Sequence, residues 1–154
     1  MIDNVRSQLI DNIRIAVSQK QDRTEILRAA VELIDAFSDD FNWTGAYLLD
    51  GDVLRVGPFV GPDTPHKVIK LNSGLCGAAA TQKQTILVDD VKSDSRFLAC
   101  SVNTRSEIVV PLLDQENVLG EIDIDSNKPG NFTADDRVML EQIAQVIVDR
   151  FKQL

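Results

Sequence analysis

The run Gly120-Glu121-Ile122-Asp123-Ile124-Asp125 alternates acidic and apolar residues without a break. In an extended strand successive side chains point to opposite faces. Ile122 and Ile124 therefore share one side, while Glu121, Asp123 and Asp125 share the other, each carboxylate about 7 Å from the next. Such a segment needs a sheet with one face buried in hydrocarbon and another that accommodates a row of like charges. No Lys or Arg interleaves it. Like charges this close weaken a sheet unless a cation or a shared proton relieves them. The row is either a solvated sheet face or a place for an ammonium-bearing ligand.

The rest of the chain supplies the hydrocarbon. Val5, Leu9, Ile13 and Val17 recur every four residues, which predicts an amphipathic helix over 2–19. Asp22 and Glu25 stand at capping-box spacing before Ile26, Ala29, Ala30, Leu33, Ile34 and Phe37, which predicts a second helix over 22–38. From Trp43 the period changes. Thr44–Leu49 and Val53–Val56 read as a hairpin across Asp50-Gly51-Asp52. The stretch from Gly57 to Pro65 holds two glycines and three prolines and is expected to be a long loop. Val68–Leu71 and Thr85–Val88 read as short strands on either side of a helix that Ser73 can cap and that ends near Gln82. A polar loop, 89–101, follows. Ile108–Leu112 and Val118–Ile124 are the clearest strands and should pair antiparallel across Asp114–Asn117. Thr133, with Asp135 and Asp136 in the first turn, opens a last helix with Leu140, Ile143, Ala144, Ile147 and Phe151 on one face.

These elements predict an α+β fold in which helices cover one face of an antiparallel sheet and loops close a pocket on the other. A chain of 154 residues has room for one such core. It is read as a single domain over 1–154, with N-terminal helices in 1–38, sheet and pocket loops in 43–127, and a C-terminal helix in 133–154. Sixteen Lys and Arg against 24 Asp and Glu leave a net charge of -8. That field repels phosphate backbones and anionic lipid, so neither nucleic acid nor a membrane is an expected partner. No apolar run reaches the ~20 residues of a spanning helix, and the N-terminus does not read as a signal peptide. A cytoplasmic location is the expectation.

Few residues remain for chemistry. With one histidine, His66, and two cysteines, Cys76 and Cys100, there is little material for a catalytic triad or a metal site, and none is expected. The cysteines are either packing residues or reactive thiols. Cys76 is the third residue into the helix after Ser73, where the positive helix end should favour its thiolate. Cys100 ends the loop before the strand that Glu107 opens, so thiol and acids could converge. Trp43 and Tyr47, the only Trp and Tyr, fall on one face of their strand and could wall an apolar slot or pack in the core. His66 is either a base towards a nearby thiol or a solvated loop residue.

In order along the chain, Trp43-Thr44-Gly45-Ala46-Tyr47, Gly57-Pro58-Phe59-Val60-Gly61, Gly74-Leu75-Cys76-Gly77, Ala99-Cys100, Ser106-Glu107-Ile108-Val109-Val110-Pro111 and Ile122-Asp123-Ile124-Asp125-Ser126 resemble the GAF-domain free methionine-(R)-sulfoxide reductases. The likeness spans about residues 40–150. It implies a GAF fold, usually dimeric, with free methionine sulfoxide in a loop-closed pocket. Cys100 would be the nucleophile and Glu107 would bind substrate. Asp123 and Asp125 would hold the ammonium group or protonate the sulfoxide, and Trp43 and Tyr47 would enclose the S-methyl. No bound cofactor is implied; an external thiol reductant, such as a thioredoxin-type protein, would recycle the enzyme, and the chain is expected to form a homodimer. The family commonly has a third, recycling cysteine where this chain has His66, leaving Cys76 as the available resolving thiol. The loop Asp94-Ser95-Arg96-Phe97-Leu98 is closer to sensory GAF domains. The alternative is a non-catalytic GAF module that binds a small amino compound.

Overall fold

The computed structural model describes residues 2–98 and 101–154. Six strands form one antiparallel sheet: β1 (Trp43–Asp50), β2 (Val53–Val60), β3 (Val68–Lys70), β4 (Ile86–Val88), β5 (Ser106–Asp114) and β6 (Asn117–Ser126). Their order across the sheet is β3-β2-β1-β6-β5-β4. The helices are α1 (Asn4–Ser18), α2 (Arg23–Asp35), α3 (Gly74–Gln82) and α4 (Ala134–Phe151), with a single 3-10 turn over Val91–Ser93. Among the described residues no helix is long and apolar enough to cross a membrane.

The alternation in β6 sorts the molecule into two cores. Ile122 and Ile124 join Ile108, Val110 and Leu112 of β5 and Ala46 of β1 on one face, where Ile13, Ile26, Leu27, Ile34, Met139 and Ile143 of α1, α2 and α4 cover them. The odd-numbered residues of β1, β5 and β6 face the other way, into a second cluster that contains Trp43, Tyr47 and Val109 and is roofed by Leu75, Cys76, Ala79 and Ala80 of α3. Three helices thus lie on one face as the periodicity predicts, and α3 joins the loops in closing the opposite face.

Helix ends follow their capping residues. Asp3 accepts from Arg6 N and Asp22 from Glu25 N. Thr133 and Asp136 form a reciprocal capping box at the start of α4. Ser73 takes the N-cap position of α3 through its carbonyl, which accepts from Gly77 N at 3.0 Å, while its hydroxyl makes no cap bond.

One expectation is corrected. The stretch from Gly57 is not loop until after Val60, because β2 continues through it. Gly45 pairs with Phe59 and Tyr47 with Val56, so Gly57 and Pro58 together oppose Ala46 in a bulge. A bulge accepts the proline because the extra residue has no ladder bond to lose. β3 pairs only with Val53–Arg55, so Pro58 also lies beyond its reach. The Gly- and Pro-rich loop proper is residues 61–67.

Gly77 sets how closely α3 approaches the sheet edge. A Cβ there would stand 2.8 Å from the Leu71 carbonyl oxygen and 2.9 Å from that of Lys70. Both are backbone atoms that cannot swing aside. Gly77→Ala is expected to cost about 1–3 kcal/mol in urea denaturation. Ile122→Ala, which opens a cavity beneath the opposite face, should cost roughly 2–5 kcal/mol.

A candidate active site of buried acids

The pocket face of the sheet brings four carboxyl groups together. Asp125 pairs with Glu107 of β5 on one side and with Trp43 of β1 on the other; Asp123 lies between Val109 and Gly45; Glu121 lies between Pro111 and Tyr47. None is solvated: Glu107 is 5% exposed, Glu121 0%, and Asp123 and Asp125 2% each. The solvated-face reading of the acidic row is therefore overturned, because α3 and the loops lie across it.

Among the described residues no Lys or Arg pairs with these acids, and the one basic group that acts on them is His66, whose attraction lowers Asp123 against the effect of burial. No hydrogen-bond donor reaches either oxygen of Glu121, Oδ1 of Asp123 or Oδ1 of Asp125. Burial pushes the carboxyl groups of Glu107, Glu121 and Asp125 well above the usual carboxylate range, and Asp123 upward as well. Repulsion from Asp123 adds to the shift at Glu107, Glu121 and Asp125. Glu107 is close enough to both Asp123 and Asp125 to share a proton with them. Their surroundings thus favour the protonated, proton-donating form more than water would.

Cys76 reaches the same cluster from α3. Its thiol donates to Asp123 Oδ2 at 3.4 Å. Burial, followed by the charges of Asp123, Glu121 and Glu107, pushes that thiol well above its usual value. The expectation that the helix end would favour the thiolate is corrected: three nearby acids and the loss of water outweigh a partial positive charge. Cys100, the other expected thiol, lies outside the described residues.

Trp43 and Tyr47 share the pocket face, with ring centroids 6.3 Å apart. Their polar ends fasten the Pro-rich loop over the site. Trp43 Nε1 donates to the Pro62 carbonyl at 3.0 Å and Tyr47 Oη to the His66 carbonyl at 2.9 Å. The indole stacks on Phe59 at 5.3 Å and fills the space above Gly45, where a Cβ would lie 2.3 Å from the ring. Two cavities flank these rings. The inner one, about 10 Å³, is lined by Tyr47, His66, Cys76, Leu98, Glu107 and Asp123. The outer one, about 100 Å³, is lined by Trp43, Thr64, Ser101, Thr104, Asp125 and Asn127 among others.

The structure places Trp43, Tyr47, Cys76, Glu107, Asp123 and Asp125 on the same side of the sheet. His66, which the sequence offers as a base or a solvated loop residue, is half-buried on the inner wall, and Glu121, to which the sequence assigns no role, joins the cluster. The alternation places Glu121 on the right face; nothing local tells that α3 lies over it. As a metal-capable set, Cys76, Glu107 and Asp123 each bring one donor atom within 4.8 Å of the others.

A GAF domain family model matches residues 20–149. The chain belongs to the GAF domain family. It is 38% identical over 104 residues to the free methionine-R-sulfoxide reductase of Escherichia coli (strain K12), across 68% of this chain and 62% of that protein. The aligned part is thus under two thirds of that enzyme. The free methionine-R-sulfoxide reductase of Neisseria meningitidis, solved in complex with its substrate, superposes with a TM-score of 0.91 at 29% identity, covering 99% of this chain and 92% of that one. A structure described as a putative GAF sensor protein from Burkholderia vietnamiensis superposes at 0.90 with 33% identity, covering 97% and 94%.

The raised carboxyls fix the sign of a pH effect. Each binds a proton in the folded state at a pH where the unfolded chain has released it. Stability is then lost as pH rises above the ordinary carboxylate value, 4.5 for Glu121. Asp3, Asp90 and Asp94, each beside an arginine outside the pocket, are lowered from 3.8 and act below that window. The thermal midpoint of the ligand-free protein should fall between about pH 5 and 8, and Glu121→Gln should flatten that slope. A midpoint that rises through this range would contradict the placement of the acids.

Proposed function

We propose that this chain is a thiol-dependent reductase of free methionine-(R)-sulfoxide. The observation that carries the reading is the convergence of Glu107, Asp123 and Asp125, all buried, on cavities walled by Trp43 and Tyr47. The likeness to the Escherichia coli and Neisseria meningitidis reductases supports it.

A free amino acid brings a full positive charge to the acids. Its ammonium group lies against Asp123, with Glu107 completing the cradle, and relieves the repulsion there, which leaves Asp125 free to act as the acid. The S-methyl group enters the slot between Trp43 and Tyr47. A sulfoxide oxygen is a poor leaving group unless it is protonated, and an acid with a raised pKa at Asp125 is suited to supply that proton. The Cys100 thiolate, placed here by the resemblance alone, attacks the sulfoxide sulfur. The oxygen passes to cysteine, the thioether methionine departs, and Cys100 is left as a sulfenic acid. A reductant thiol condenses with it, releasing water and forming a mixed disulfide. A second thiol then displaces Cys100 and leaves the reductant oxidised.

Recycling falls to an external thiol of the thioredoxin type. His66 stands where a third cysteine would be, and Cys76, the other thiol in the chain, has little thiolate to offer. The reading takes the active species as a cytoplasmic homodimer with no bound cofactor.

Purified protein incubated with the free R-sulfoxide and dithiothreitol should release methionine. Cys100→Ser should abolish turnover, Asp125→Asn should slow it by about 10²–10⁴-fold, and Cys76→Ser should keep most of it. Absence of turnover in the wild-type chain would sink the proposal. His66 and the likeness to the Burkholderia vietnamiensis sensor favour a second reading, a GAF module that binds a small amino compound without changing it. That module would gain thermal stability from its ligand to the same extent in the wild type and in Cys100→Ser.

A further inference from the structure

The proposed reaction gives Cys76 no step, yet its thiol sits among buried acids with which no Lys or Arg pairs among the described residues. We propose that Cys76, Glu107 and Asp123 form a binding site for a borderline-soft divalent cation of the zinc and cadmium type. Their three donor atoms lie within 4.8 Å of one another, and all three residues are buried. Two ligands of a tetrahedral zinc, a thiolate and a carboxylate, stand about 3.6 Å apart. Cys76 Sγ and Asp123 Oδ2 are already 3.4 Å apart.

A second observation points the same way. Asp123, 2% exposed and on the wall of the inner cavity, leaves Oδ1 with no hydrogen-bond partner among the described residues. A divalent ion would replace protons on the three ligands and offset the repulsion between them. The donor set selects the ion. Thiolate disfavours magnesium and calcium, which take oxygen ligands, and suits zinc, cadmium or cobalt. The fourth position opens on the inner cavity of about 10 Å³, room for about one water. An ion there occupies the carboxylates that would hold an ammonium group, so metal and amino-acid ligand exclude each other.

The site is tested by titrating cadmium into the reduced full-length Cys100→Ser protein, whose only thiol is Cys76. The readout is thiolate-to-cadmium charge-transfer absorbance. This background has no turnover under the proposed mechanism, so the result is independent of whether the chain is a reductase. The band should saturate at one ion per chain, and magnesium should neither produce it nor compete. Asp123→Asn and Glu107→Gln, each checked for folding by circular dichroism, should weaken binding by roughly tenfold or more, since loss of even a supporting partner has that effect. Absence of the band in folded Cys100→Ser protein overturns the site. So does a band whose affinity neither carboxylate variant alters, which would mean cadmium on the thiol alone.

Discussion

Four carboxyl groups buried with no Lys or Arg paired to them among the described residues are the constraint around which this domain is arranged. Placing charge in a medium of low polarity is costly, and the repulsion between neighbours on β5 and β6 adds to it. Burial and this repulsion push the acids towards their protonated forms. The six-stranded sheet supports this from behind. Ile122, Ile124, Ile108 and Val110 are locked against three helices, so the strands cannot turn their acidic face to water without emptying the main core.

The same constraint explains the closure on the pocket side. α3 approaches the sheet closely because Gly77 has no side chain, and Trp43 and Tyr47 hold the loop at Pro62 and His66 by direct hydrogen bonds. Each aromatic has a hydrocarbon body facing the acids and a polar tip gripping backbone. The result is a site whose acids are buried and that gains from any ligand carrying positive charge.

Much of this is legible in the sequence. Period-four apolar residues mark α1, α2 and α4, and strict alternation marks β6 and its two faces, since helix and strand periods depend only on neighbouring residues. The length of β2 is not legible. Gly57 and Pro58 carry the local chemistry of a loop, and only their position opposite Ala46 makes them a bulge. The thiol of Cys76 is misjudged for a related reason. Its place on a helix is local information, whereas the acids that raise its pKa come from strands some 30 to 50 residues further along the chain. The burial of Glu121 depends likewise on where α3 lands.

The family match begins at residue 20, after α1 has ended. The two ends of that helix are nonetheless moored to α4. Arg6 binds Asp136 at the start of α4, and Arg150 near its end donates to the carbonyls of Val17 and Lys20. The helices run side by side in the same direction, with clasps at top and bottom, and Ile13 between them is fully enclosed. A fragment trimmed to the recognisable family boundaries would strip this cladding from the long helix and leave its oily flank bare. A boundary drawn at residue 20 would therefore cut through the main core, to which α1 gives Leu9, Ile10, Ile13 and Val17.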